Sequence, residues 1–600
     1  MKIKYTRIVW LLAMALTQVR PACAQSAPSG ALTTPWTSQV TPQNTHSEYP
    51  RPQFVRKDWK SLNGNWDYAI TPLFSDKPIQ WDGHILVPYP IESLLSGVQK
   101  KIGPERLLWY HKTFTIPTGW NNQHILLHFQ AVDWDTRVWV NGRLIGEHRG
   151  GYDAFTFDIT GSIRPGKEQE IVLSVWDPGN EGDQPNGKQY NQPRSIWYTS
   201  TTGIWQTTWL EPVPAESIPA FTLTTDIDKK TACIVFDKPL PPGYTLRAAA
   251  YDQGKKTATA QTGLNNEITL QLSSVKLWSP ANPFLYDLTI TLYRAGTKMD
   301  EINSYFGMRS IGMEKDKDGF TRLVLNHKPL FQFGTLDQGF WPDGLYTAPT
   351  DEALKYDIEM QKDLGFNVIR KHVKVEPQRW YYWCDKLGML VWQDMPSGDK
   401  HIGRQDTADL KRSAQSATQY MTEWEQIIRQ HKNAPSIVTW VPFNEGWGQF
   451  TTEKIVRFTH DLDPSRLIDA TSGWCDRGVG DMHDTHSYPG PDMTPPEPTR
   501  ATVLGEFGGQ ALVTKDHMWV KDLSLAPGHI RTSPTPEDLR ATYSRLVDSL
   551  VLLKKKGLSA AIYTQATDVE SEVNGLMTYD RKILKIDAGE LKKINARLTE

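Results

Sequence analysis

The stretch Ile437-Val438-Thr439-Trp440-Val441-Pro442-Phe443-Asn444-Glu445-Gly446 is an apolar run that closes on an amide, a carboxylate and a glycine. A short β-rich run bounded by a turn residue reads as a buried strand, here with its polar groups at the C-terminal end. Seven further runs of this kind follow residue 312, at 330–336, 367–372, 390–395, 467–472, 482–488, 502–507 and 560–565. Amphipathic helical stretches separate them. In the first, Thr350 is the predicted N-cap before Asp351 and Glu352, Leu354, Ile358 and Leu364 share a face, and Gly365 ends the helix. Eight such units in residues 313–600 predict a (β/α)8 barrel. Alternation alone also fits an open doubly wound sheet, but no Gly-x-Gly-x-x-Gly opens a unit.

Upstream the pattern changes. Residues 25–215 carry short strand-like runs broken by Gly, Pro and Asn, the pattern of an all-β sandwich. Within it Asn141-Gly142 predicts a type I′ hairpin turn, which needs positive φ at both positions. Residues 216–312 have the length and strand spacing of an immunoglobulin-like β-sandwich, without the Cys pair of antibody domains. Residues 1–24 read as a signal peptide: Lys2, Lys4 and Arg7, an apolar run from Ile8, then Ala22-Cys23-Ala24 as the cleavage site. The expectation is a soluble exported protein in the periplasm. Arg20 and Pro21 interrupt the apolar approach that a lipid anchor at Cys23 would use. No later run is long enough to span a bilayer. Cys233, Cys384 and Cys475 are too few and too odd in number for a disulfide framework.

The charge balance, 66 Lys+Arg against 68 Asp+Glu, leaves no basic surplus to neutralise phosphates, so nucleic acid is not expected as the main partner. The 23 tryptophans are more distinctive. Trp36, Trp81, Trp120, Trp278 and Trp341 sit in turn-like settings, where indoles serve either as core or as recognition platforms.

A barrel places its active site at the C-terminal ends of its strands. Those ends carry Asp337, Arg370, His372, Asp394, Asn444 and Glu445, then Asp484, His486 and Tyr488, Glu506, and finally Gln565 and Asp568. Glu445 ends the fourth strand and Glu506 the seventh, so the two carboxylates can approach across the mouth. A pair about 5 to 5.5 Å apart suits retaining glycoside hydrolysis, with one acid for the leaving oxygen and one ionised nucleophile for the anomeric carbon. A metal reading of His483, Asp484 and His486 is weaker, because strand alternation sends His483 to the opposite face from the other two. Arg370 and His372 share a face and are either substrate contacts or a buried structural pair.

The chain resembles glycoside hydrolase family 2, which contains β-galactosidases, β-glucuronidases and β-mannosidases. The likeness rests on Val140-Asn141-Gly142, Gly150-Gly151-Tyr152 and Gly203-Ile204-Trp205-Gln206 in the first domain, which the resemblance implies is a sugar-binding jelly roll. It continues through Leu277-Trp278-Ser279-Pro280 and Phe306-Gly307-Met308-Arg309, then Asn433, Pro435-Ser436-Ile437, Trp440 and Asn444-Glu445, and Glu506-Phe507-Gly508. The resemblance implies Glu445 as acid/base, Glu506 as nucleophile and Asn444 as partner of the sugar 2-hydroxyl. A desolvating shell of Trp440, Phe443 and Trp447 is expected around Glu445, and Tyr488 and Arg370 are expected to donate to Glu506.

The departures matter as much. Where family galactosidases carry a His-Glu pair, this chain reads Leu336-Asp337-Gln338-Gly339, and where glucuronidases carry Asn-x-Lys-Gly it reads Glu572-Val573-Asn574-Gly575. A uronic acid is therefore disfavoured, and Gln565, Asp568 and Trp341 are the expected sugar contacts beside His486 and Trp447. No cofactor and no metal are expected. The resulting expectation is a retaining exo-glycosidase on oligo- or polysaccharides, first of all on β-D-galactosides. An α-L-arabinopyranoside, a β-glucuronide, a β-mannoside or a catalytically inactive carbohydrate-binding protein are the alternatives, and the oligomeric state is left open.

Overall fold

The computed structural model describes residues 31–262, 265–520 and 531–599. The signal peptide, Cys23 included, lies outside them. Among the described residues the three cysteines are unpaired, and no helix is long and apolar enough to cross a membrane.

The first domain is a two-sheet sandwich. Strands β1 (Gly64–Pro72), β2 (Gly83–Val87), β3 (Arg106–Phe114), β4 (Asp135–Val140), β5 (Arg143–Arg149) and β6 (Gln169–Trp176) form one sheet in the order β2-β1-β3-β6-β4-β5. The β4–β5 turn is Asn141-Gly142, with φ of +52° and +83°, as the sequence requires. The facing four-stranded sheet joins Lys60–Ser61, Thr208–Val213, His124–Phe129 and Phe155–Asp158. Alternate residues, among them Trp66, Tyr110, Leu127, Val138 and Leu173, fill the layer between. The second domain packs a three-stranded against a four-stranded antiparallel sheet. Trp278 and Arg309 bind it to the barrel: the indole donates to the Asp385 carbonyl at 2.8 Å, and the guanidinium donates to the Pro435 and Ile437 carbonyls at 2.9 and 2.8 Å.

The third domain contains the eight parallel strands expected: β7 (Gln332–Asp337), β8 (Val368–Lys371), β9 (Leu390–Asp394), β10 (Ile437–Val441), β11 (Leu467–Ile468), β12 (Met482–Ser487), β13 (Ala501–Gly508) and β14 (Ala560–Thr564). They pair in the order β11-β10-β9-β8-β7-β14-β13-β12, a nearly closed barrel with its seam between β11 and β12. Leu336, Val368, Trp392, Val503 and Ile562 pack its interior with Leu323 and Leu325 of a preceding hairpin. In the first helix, α1 (Asp351–Asp363), Thr350 Oγ1 accepts from the Ala353 N–H at 3.1 Å.

The sandwich sits on the barrel through a shared core. Tyr152, Tyr198 and Trp205 pack with Phe340 and Tyr346 of the barrel. Trp120, Trp278 and Trp341 are buried, so these three indoles are core rather than platforms.

Candidate active site

Two backbone irregularities deliver the two glutamates. In β13 the register slips so that Thr485 pairs Leu504 while His486 pairs Glu506, leaving Gly505 as an inserted residue. Without that bulge, alternation would aim Glu506 the same way as Leu504, which packs into the helix-side core. Gly505 is required there, because a Cβ would overlap the Asp484 carboxylate and the Ser472 hydroxyl. Glu445 follows the end of β10 with φ of +53°, held by its N–H to the Ser472 carbonyl at 2.9 Å. Such a conformation costs a non-glycine residue of order 1–3 kcal/mol and is concentrated at functional sites.

The two carboxylates and His486 Nδ1 present atoms that all lie within 4.8 Å of one another. Glu506 is buried among donors. Arg370 Nη1 donates to Oε1 at 3.2 Å, and Tyr488 Oη donates to Oε2. Burial alone would raise its pKa; the positive charges around it, first His486 and then Arg370 among them, outweigh burial and hold it at about 2. Arg370 is itself fixed by two bonds to Asp394, at 3.1 and 2.9 Å, and donates to Asn444 Oδ1 at 2.7 Å. The Asn444 amide nitrogen, fully buried, has no partner among the described residues.

Glu445 is partly buried and accepts from His486 Nδ1 at 2.8 Å. His486 Nε2 lies 2.9 Å from Ser472 Oγ, whose hydroxyl donates to Asp484 Oδ2 at 2.5 Å. Burial opposes charge on this imidazole, but Glu506 and Glu445 overcome it and raise the pKa above the usual histidine value. The two glutamates thus bias the ring towards its charged form, with Nδ1 facing both carboxylates.

The expected shell around Glu445 is different. Trp440 packs edge-on against Trp424 and donates to Asp463 at 3.0 Å, and Phe443 stacks on Tyr420; both face the helix layer. Of the three, only Trp447 lines the cleft.

That cleft, about 410 Å³, is lined by His372, Glu445, Trp447, His486, Tyr488 and Glu506, by Glu572 and Asn574 of the 572–575 stretch singled out in the sequence, and by residues not anticipated from sequence: Lys188, Ile196, Arg404, Trp474 and Thr564. Lys188 comes from the first domain. Its segment lies across the barrel mouth, where the Asn186 and Gly187 N–H groups donate to the Ser397 carbonyl at 2.8 Å each and the Thr199 N–H donates to Glu570 at 2.9 Å. Gly187 has φ of +58° and a Cβ there would meet the Val373 carbonyl oxygen at 2.5 Å, so only glycine allows this approach. Among the described residues the one ion pair of Lys188 is with Glu572 at 3.9 Å, longer than a hydrogen bond. Glu572 also accepts from Tyr198.

Four expected substrate contacts lie elsewhere. Asp337 is tied to Lys371 at 2.9 Å and accepts from the Gly339 N–H, so its charge is spent inside the barrel wall. Trp341 is core, with the Arg581 guanidinium 4.0 Å from its ring. Asp568 pairs with Lys585 at 2.6 Å and accepts from the Gly575 N–H. Gln565 stands behind the cleft, donating to Asn574 Oδ1 at 2.8 Å. The three polar groups are each held by a buried partner, and the indole is packed under a guanidinium. Arg370 and His372 divide the two readings given them: Arg370 is buried behind Glu506, while His372 lines the cleft with Nδ1 3.0 Å from Asp394.

Glu445, His486 and Glu506 are also a donor set that could surround a cation. Their hydrogen bonds to one another, to Tyr488 and to Arg370 already satisfy the atoms such an ion would need.

Comparison with known proteins places these domains. Residues 75–191 match the description "Glycosyl hydrolases family 2, sugar binding domain", residues 223–309 "Glycosyl hydrolases family 2", and residues 321–493 "Glycosyl hydrolases family 2, TIM barrel domain". A putative beta-glucuronidase of Formosa agariphila is 27% identical over 455 residues, covering 70% of this chain and 52% of its own length. A beta-galactosidase of Thermoanaerobacter pseudethanolicus is 23% identical over 372 residues, covering 60% and 47%. The chain thus spans about half the length of these relatives. In three dimensions the fold is similar to that of a beta-D-glucuronidase of Dictyoglomus thermophilum, with a TM-score of 0.74 at 19% identity over 91% of this chain and 98% of the other.

Proposed function

This chain belongs to glycoside hydrolase family 2, and from that premise we propose that it is a retaining exo-glycosidase acting on the non-reducing ends of oligo- or polysaccharides. The observation that carries the reading is the spacing of Glu445 and Glu506, within 4.8 Å at their nearest functional atoms and differently surrounded. That spacing suits direct attack by one carboxylate and leaves no room for the extra water of an inverting mechanism.

Glu506, ionised among Arg370, Tyr488 and His486, attacks the anomeric carbon. The proton held by the His486–Glu445 pair passes through Glu445 to the leaving oxygen. With Glu506 esterified, Glu445 takes a proton from water, whose oxygen displaces the sugar from Glu506; Glu506 leaves as the carboxylate and the His486–Glu445 pair regains its proton. Asn444, anchored by Arg370, offers its unpartnered N–H to the sugar 2-hydroxyl, a bond that strengthens in the transition state. On this reading the enzyme acts outside the cytoplasm, in the periplasm.

The glycone is a neutral pyranose, β-D-galactose first, because Glu572 lines the cleft and offsets the charge of Lys188. A β-glucuronide is the second reading. Lys188 supports it, since an ammonium without a close partner at the sugar pocket is positioned to meet a carboxylate.

Hydrolysis of 4-nitrophenyl β-D-galactoside, α-L-arabinopyranoside, β-D-glucuronide and β-D-mannoside tests both. Glu506→Gln should abolish turnover, and Glu445→Gln should lower kcat/KM on the preferred sugar by about 10²–10⁴. If the β-D-glucuronide is the preferred substrate and Lys188→Gln removes its turnover, the second reading replaces the first. No turnover of any glycoside would overturn both.

A further inference from the structure

The outer face of the six-stranded sheet in the first domain does not look like a solvated sheet. On the water side of a sandwich, strands ordinarily present polar side chains. Here Trp109 of β3, Val172 of β6 and Ala69 of β1 form an apolar cluster with Trp139 of β4 and Trp81 against it. The ladder pairs Ala69 with Trp109, Trp109 with Ser174, and Ser174 with Arg137, so these groups form one row across four strands. The Trp109 and Trp139 rings lean together with centroids 5.8 Å apart and planes 30° apart. Above them is an open cleft of about 820 Å³ that shares no lining residue with the catalytic cleft.

Its rim carries a second anomaly. Phe74, in the turn that follows β1, is 91% exposed and has φ of +71°. An aromatic residue is rarely found there, and both the strain and the exposure oppose folding unless something else repays them. The charges along the rim are balanced pairwise: Arg149 with Asp135 at 2.8 Å, Arg137 with Glu147 at 3.1 Å, and Lys77 with Glu170 at 2.9 Å. The cleft therefore has flat apolar rings on its floor, donors and acceptors along its edges, and no surplus positive charge, the exposed Asp76 being the lining charge outside these pairs.

We propose that this cleft is a second carbohydrate site, separate from the catalytic one, that holds a stretch of neutral polysaccharide. A pyranose has the matching chemistry: an apolar C–H face to lie on an indole and a rim of hydroxyls for Ser174, Asp135 and the arginines. Pairwise balanced charge argues against a phosphorylated or strongly acidic ligand, whose desolvation would need an unpaired cation. Holding the polymer here raises the local concentration of chain ends near the barrel mouth.

Native gel electrophoresis through soluble β-galactan, arabinogalactan, galactomannan, xylan and laminarin reads binding without turnover, so its result is independent of the proposed hydrolysis. Trp139→Ala and Phe74→Ala, both at sites where the ring is only partly enclosed, are the test variants; unchanged thermal midpoints and hydrolysis of a small aryl glycoside within about twofold establish that each still folds. The expected result is retardation of the wild-type protein by at least one polymer, weakened about tenfold or more in both variants, as loss of a central aromatic contact implies. Absence of retardation in all five gels overturns the proposal, as does retardation that both variants retain. So does light scattering that shows a wild-type dimer dissociating in the variants, which would make this face a contact between two copies of the chain.

Discussion

At the residue scale the site turns on how the surroundings of one carboxylate are built. Tyr488 donates to Glu506 and lies 2.8 Å from Thr564 Oγ1, so its hydroxyl is held in place from the far side. A hydrogen bond to a charged group is worth about 1.5–3 kcal/mol. Tyr488→Phe should therefore lower kcat/KM by about 10- to 100-fold. The sign of the pH effect follows from the shift. The Glu506 pKa is depressed, so activity that needs the carboxylate is present above that pKa and lost as pH falls through it. Removing a donor raises the pKa, and the acid limb of the kcat/KM profile should move to higher pH. An unchanged limb with an unchanged rate would remove Tyr488 from the mechanism.

At the scale of the element, the bulge in β13 determines which way Glu506 points. Gly505→Ala places a methyl group against Asp484 and Ser472. Overpacking of this kind costs about 1–3 kcal/mol, and a displacement near 1 Å at a reacting group costs about 10²-fold in rate. The expected outcome is a lowered thermal midpoint together with a roughly hundredfold loss of kcat and little change in KM. Loss of stability with full activity per folded molecule would mean that the bulge is not what aims Glu506. This element also marks how far sequence carried the site. Alternation correctly separated Asp484 and His486 from His483, which pairs outside the barrel with Glu497, but the bulge was not legible, because a glycine in a strand does not announce which register its neighbours will take.

At the scale of the molecule, the domain interface is itself titratable. Glu423 on the barrel helix Ala414–His431 is fully buried against the sandwich, accepting from Gln419 at 2.8 Å and from the Trp134 indole at 3.4 Å. Burial pushes its pKa up to about 8, against about 4.3 in an unfolded chain. The folded state thus keeps a proton that the unfolded state releases, and stability falls as pH rises between those values. Glu423→Gln should flatten the fall in thermal midpoint from pH 5 to pH 8, by several degrees at the alkaline end. A wild-type midpoint that is flat or rises over the same range would show that Glu423 is ionised in the folded protein.

The sequence by itself determined the barrel, its eight strands and the two sandwiches, because hydrophobic period, caps and turn chemistry are local properties written within each segment. It also singled out Glu445 and Glu506, since strand ends in a barrel converge by symmetry. Only the tertiary structure decided what surrounds them. Asp337, Trp341 and Asp568 are occupied by Lys371, Arg581 and Lys585, whereas Lys188 and Glu572 meet in the cleft from different domains. Which polar groups are free to meet a sugar depends on which buried charges have already found one another, and those pairings are made by packing between different elements of the fold, which the pattern within any one segment does not record.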